Sequence, residues 1–100
     1  MPYAELAAGA SVERVGDGLR FGGALLRADM ATLWKQALSQ LEGVRHFDLN
    51  AVTRVDSAGV ALLAELASHC GDVRIEGLPP GLAELRAAYR LTPALAFAAA

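Results

Sequence analysis

Five residues, Val55-Asp56-Ser57-Ala58-Gly59, constrain this chain more than any others, because they join a stretch that reads as a strand to one that reads as a helix. Upstream, Val44-Arg45-His46-Phe47-Asp48-Leu49 alternates in polarity, as an extended segment does. Downstream, Val60-Ala61-Leu62-Leu63-Ala64-Glu65-Leu66-Ala67 has strong helical preference. Ser57, at the seam, is expected to be the helix N-cap, its oxygen accepting a hydrogen bond from a backbone N–H one turn in, worth about 0.5–2 kcal/mol. Asp56 is expected to favour the same N–H groups and the positive end of the helix dipole.

The remaining elements follow from spacing. Ser11 to Val15 and Leu19 to Phe21 flank Gly16-Asp17-Gly18, the composition of a β-hairpin. Met30, Leu33, Trp34, Ala37, Leu38 and Leu41 then recur at helical offsets and predict an amphipathic helix, with Asp29 placed to cap it and Gly43 to end it. A strand over Arg45 to Leu49 follows, then a polar loop through Asn50 and Thr53, then the helix from Ser57 to about Gly71. Val73-Arg74-Ile75 predicts a short strand. Gly77-Leu78-Pro79-Pro80-Gly81 breaks the chain before a third helix, in which Leu82, Leu85 and Tyr89 share a face and which Thr92-Pro93 stops. The order β-β-α-β-α-β-α predicts an α/β fold with helices packed on a small mixed sheet.

One hundred residues suit a single domain with one modest core, placed at about 10–92, ahead of an apolar, alanine-rich tail over 94–100. Of the 54% hydrophobic residues many are alanine, 21 in all, so leucine and valine must supply most of the buried area. Leu95 and Phe97 either complete the core or meet a partner; Ala98 to Ala100 are expected to be disordered.

Chemistry is scarce. Nine basic and eleven acidic residues are spread evenly, giving a net charge of −2 and no footprint for a nucleic-acid backbone. Met1 to Ala10 lack the pattern of a signal peptide and no run is long enough to span a bilayer, so a soluble, cytosolic domain is expected. The single Cys70 fits a reducing compartment. His46 and His69 have no metal-ligand spacing, Ser57 lacks the glycines of a hydrolase elbow, and no phosphate-cradling loop is present. Neither a catalytic residue, a cofactor nor a metal is expected.

A contact surface is better supported. Stepping 100° per residue along the helix after Asp56 gathers Gly59, Leu62, Leu63, Leu66 and Cys70 on a side that should face the sheet. Ser57, Ala61, Ala64, Glu65 and Ser68 gather opposite, with Val60 at their edge. One charge among small side chains is unusual for a solvated helix, and such a surface lets another backbone approach closely; alanine-rich composition alone gives the same pattern.

The run Val52-Thr53-Arg54-Val55-Asp56-Ser57-Ala58-Gly59-Val60-Ala61-Leu62-Leu63 resembles the signature of STAS domains, the fold of anti-sigma-factor antagonists. The Thr53-Arg54-Val55-Asp56 approach, Ala61-Leu62-Leu63, Leu33-Trp34 and Leu85 through Tyr89 to Leu91 look most like the MlaB-like branch, cytosolic subunits of ABC systems that move phospholipid between the bacterial inner and outer membranes. The resemblance implies a non-enzymatic accessory subunit that binds and supports the transporter ATPase at the inner membrane, binding neither nucleotide nor lipid itself. It implies a contact built on Asp56, Ser57, Ala58, Val60, Ala61, Ala64 and Glu65. Threonine is usual at the Ser57 position in that branch, whereas serine is typical of antagonists phosphorylated by anti-sigma kinases. The alternative implied is therefore an antagonist regulated through Ser57 as phospho-acceptor.

Overall fold

The sheet is built outward from its most buried strands. In the computed structural model, which describes residues 9–71, 73–93 and 95, β1 (Ser11–Val15) and β2 (Gly18–Leu25) form the expected hairpin, with Gly16 at φ +62° in its turn. A 3-10 turn over Arg27–Asp29 leads into α1 (Met30–Leu38), followed by β3 (His46–Val55), α2 (Ser57–Cys70), β4 (Arg74–Glu76) and α3 (Leu82–Ala88). The strand order is β1-β2-β3-β4, antiparallel between β1 and β2 and parallel thereafter. This is the mixed sheet and the element order predicted from sequence.

β3 departs from expectation in an instructive way. The polar segment through Asn50 and Thr53 is strand, not loop. Its pairing with β2 slips twice: Arg20 to Gly22 spans two residues where Asp48 to Ala51 spans three, and Gly23 to Ala24 spans one where Val52 to Arg54 spans two. Each slip is a β-bulge that inserts one extra residue into β3 and resets which side chains point inward. Phe47, Leu49, Val52 and Val55 are consequently buried while Asn50, Ala51, Thr53 and Arg54 are exposed, a pattern no strict alternation describes.

One apolar cluster holds the layers together. Leu19, Phe21 and Leu25 of β2 and the inward residues of β3 meet Leu33 and Ala37 of α1, five residues of α2 (Val60, Leu62, Leu63, Leu66 and Ala67) and Leu82 of α3. Phe21 and Phe47 pack edge to face at 5.5 Å on neighbouring strands. The opposite sheet face is polar, where Arg20 lies 3.4 Å from Glu13 and 3.6 Å from Asp48. Leu95 is buried and belongs to the core; Phe97, the remainder of the tail and Met1 to Ala8 lie outside the described residues.

Helix ends differ from their sequence signals. Asp29 makes no side-chain cap, because the 3-10 turn already engages the first amides, Asp29 N–H donating to Leu26 O and Met30 N–H to Arg27 O. α1 stops at Leu38, short of Gly43, where Ser39 Oγ and Gln40 Nε2 both donate to Gln36 O and satisfy a last-turn carbonyl. Leu38, expected to face the core, is therefore exposed. α3 ends before Thr92-Pro93: Leu91 N–H donates to Arg86 O and Arg90 N–H to Ala87 O, a Schellman closure with Arg90 at φ 57° in the place glycine usually takes.

Candidate functional site

The junction between β3 and α2 is braced by a carboxylate. Asp56, not Ser57, is the N-cap of α2: its backbone is extended (φ −107°, ψ −174°) and its Oδ1 accepts from Gly59 N–H at 2.9 Å. Its Oδ2 accepts from Arg27 N–H at 3.0 Å, so one side chain ties the start of α2 to the segment leaving β2. Asp56 N–H also donates to Leu25 O, and Val55 N–H donates to Pro80 O. Burial pushes the Asp56 carboxyl up, but the N–H groups of Gly59, Arg27 and Ala58, together with the Arg27 charge, outweigh it and hold the group below the usual carboxylate range.

Two glycines permit this convergence. A Cβ on Gly59 would lie 2.2 Å from Leu25 O, and one on Gly81, at φ +92°, would lie 2.6 Å from Val55 O. The loop from Gly77 to Gly81 thus runs against the end of β3 and presents Leu78, which is 61% exposed. Arg27, Leu25, Gly81 and Pro80 carried no local signal of membership in this site, since they reach it only through the tertiary fold.

The residues singled out from sequence separate into two groups. Ser57, Ala61 and Glu65 are exposed on α2, with Ser68 beside them, and Ala58 and Ala64 are half-buried. The Ser57 hydroxyl has no hydrogen-bond partner among the described residues. Glu65 lies 3.8 Å from His69 Nε2. Val60 does not belong here: it is fully buried and cannot touch a partner. α2 is flanked by α1 and α3 as well as covering the sheet, so its buried arc takes in Val60 and Ala67 and is wider than a single stripe. Asp56 engages a helix-start N–H as expected, that of Gly59, and its second carboxylate oxygen is taken by Arg27 N–H.

The helix start is not an open anion site. The side chain of Asp56 takes the N–H of Gly59 and its carbonyl takes that of Val60, and the carboxylate charge itself opposes a phosphate at the same place. At the far end of α2 a cleft of about 470 Å³ is lined by Leu41, Glu42, Gly43, Val44, Arg45, His69 and Cys70. Burial pushes the Cys70 thiol up, away from the reactive thiolate, and Arg14 offsets this only in part. Among the described residues no group of three His, Cys, Asp or Glu side chains is placed to hold a metal, and no helix is long and apolar enough to cross a membrane.

Comparison with known proteins bears on the whole fold. No curated protein matches the chain. A solved structure described as "Crystal Structure Analysis of Mglu" is 29% identical over 71% of this chain, with a TM-score of 0.47, and the match spans 19% of that chain. The family model described as "Mlab, STAS domain" matches residues 9–95, which takes in every described strand and helix. STAS domains are in general non-enzymatic modules for protein–protein interaction, and by this match the chain belongs to the MlaB-like STAS family.

Proposed function

We propose that this chain is an accessory subunit of an Mla-type ABC transporter that moves phospholipid between inner and outer membranes, binding the cytosolic ATPase and supporting its assembly and activity. It acts in the cytoplasm against the inner membrane, held there by the transporter, and binds neither lipid nor nucleotide itself. The observation that carries this reading is the outward face of α2, where Ser57, Ala61, Ala64 and Ser68 surround the single charge of Glu65. A solvated helix normally carries several charges on such a face, and small side chains let a partner helix approach to short range. The family match supports the same reading. Ser57→Glu places a charge in that contact and is expected to weaken co-purification with the ATPase at least tenfold. Undiminished co-purification with full ATP hydrolysis would sink the assignment.

A second reading is favoured by the exposed hydroxyl of Ser57, which has no hydrogen-bond partner among the described residues. In an anti-sigma-factor antagonist a partner kinase phosphorylates this serine, adding a charge of about −1.5 to −2. Beside the Asp56 carboxylate that charge is repelled and the partner is released. Intact mass after incubation with the cognate kinase and ATP decides between the readings: a phosphate on Ser57 supports the antagonist, and an unmodified chain removes it.

A further inference from the structure

Among the described residues β1 is an edge strand, with β2 on one side and no strand on the other. An exposed edge of five residues offers outward N–H and C=O groups as a template for another extended chain, whereas the opposite edge, β4, spans only three. The hairpin fixes which groups point outward. Val15 and Gly18 flank the two-residue turn and form a hydrogen-bonded pair, as Glu13 and Arg20 do by alternation, so Val12 and Arg14 direct their backbone groups away from β2.

The outward N–H of Arg14 is occupied. It donates to Gln40 Oε1 at 3.1 Å, and Gln40 is itself fixed by Nε2 donating to Gln36 O at 2.9 Å. The Arg14 side chain closes over the same loop, with Nη1 donating to Gln40 O at 2.7 Å and Glu42 O at 2.8 Å, and Nε donating to Gly16 O at 2.7 Å. These bonds lay the loop that follows α1 along the sheet edge.

We propose that the Arg14–Gln40 clip guards β1 against pairing with β1 of a second copy of this chain. A two-fold axis at Glu13 would set Val12 of one copy opposite Arg14 of the other, each such pair exchanging both backbone hydrogen bonds. With Gln40 in place the Arg14 N–H is withheld from both pairs. The same axis sets Glu13 opposite its own copy, and this like-charge contact is a second obstacle that salt weakens.

Sedimentation velocity over a concentration series, at low and high salt, tests the proposal on wild type, Gln40→Ala, Arg14→Ala and Gln40→Glu. The two alanine variants are expected to self-associate at least tenfold more tightly than wild type, more so at high salt, with slowed amide exchange at Val12. Gln40→Glu keeps an acceptor oxygen for the Arg14 N–H and is expected to sediment as wild type does. Adding Val12→Pro to Gln40→Ala removes an outward donor and should reverse the association. Should Arg14→Ala fail to fold, Gln40→Ala decides alone, its circular dichroism confirming the native fold. Folded Gln40→Ala that sediments like wild type at both salts overturns the proposal, as does association that Val12→Pro leaves intact.

Discussion

The two ends of α2 are built by opposite means. At the start, Asp56 links the helix to the segment after β2 through backbone N–H groups, and Gly59 brings the helix into contact with Leu25 O. At the finish the helix closes at Gly71, φ 83°, beside an open cleft, and its neighbouring contact is the His69 ring against Trp34, edge to face at 5.8 Å. One end is fixed by directional polar bonds with no room to move. The other rests on aromatic packing beside empty space. A candidate contact face that begins at the fixed end inherits its precision.

Substitutions at each end sharpen this contrast. The largest effect is expected from Gly59→Ala, whose Cβ meets Leu25 O at 2.2 Å. The gain in helix propensity is about 1 kcal/mol, and the overpacking cost of about 3 kcal/mol exceeds it, so the denaturant midpoint should fall clearly. Asp56→Ala follows, at about 1–2 kcal/mol, because a cap and the Arg27 link are lost together.

Asp56 also gives the braced end a pH signature. Its folded pKa is depressed, so the stability it contributes is complete above the unfolded value of about 4 and is lost as pH falls through the lower folded value. Asp56→Asn should flatten the acid limb of the stability profile; an unchanged limb would show that the carboxylate brace contributes nothing to acid sensitivity. At the other end, His69→Ala is expected to cost about 0.5–1 kcal/mol. Trp34 is the sole tryptophan, so its emission should shift in His69→Ala and stay as in wild type in Asp56→Asn. Smallest of all, Ser57→Ala should change stability by less than about 0.5 kcal/mol, since its hydroxyl makes no hydrogen bond among the described residues. A larger loss in thermal unfolding would return the capping role to Ser57.

Much of this architecture was legible in the sequence, and the exceptions have identifiable causes. The hairpin was readable because Gly16-Asp17 is a local turn signal, and the helices because leucine spacing is a local periodicity. β3 was read as half its length because two bulges break alternation, and bulges are set by pairing with β2. Capping preference alone could not choose between Asp56 and Ser57, since both residue types serve equally well at a helix start. The choice falls to Asp56 because Leu25 and Arg27 approach it from a distant part of the chain. Val60 was set at the edge of the outward side on the geometry of one helix, and its burial reflects neighbours that a single helix cannot reveal.

The brace at Asp56 has a consequence for recognition itself. A surface anchored to three separate segments of the fold is already ordered before any partner arrives, so little conformational entropy remains to be surrendered on docking. Were the proposed contact made there, association would be governed by shape and desolvation, and the free and bound forms of α2 should be superimposable.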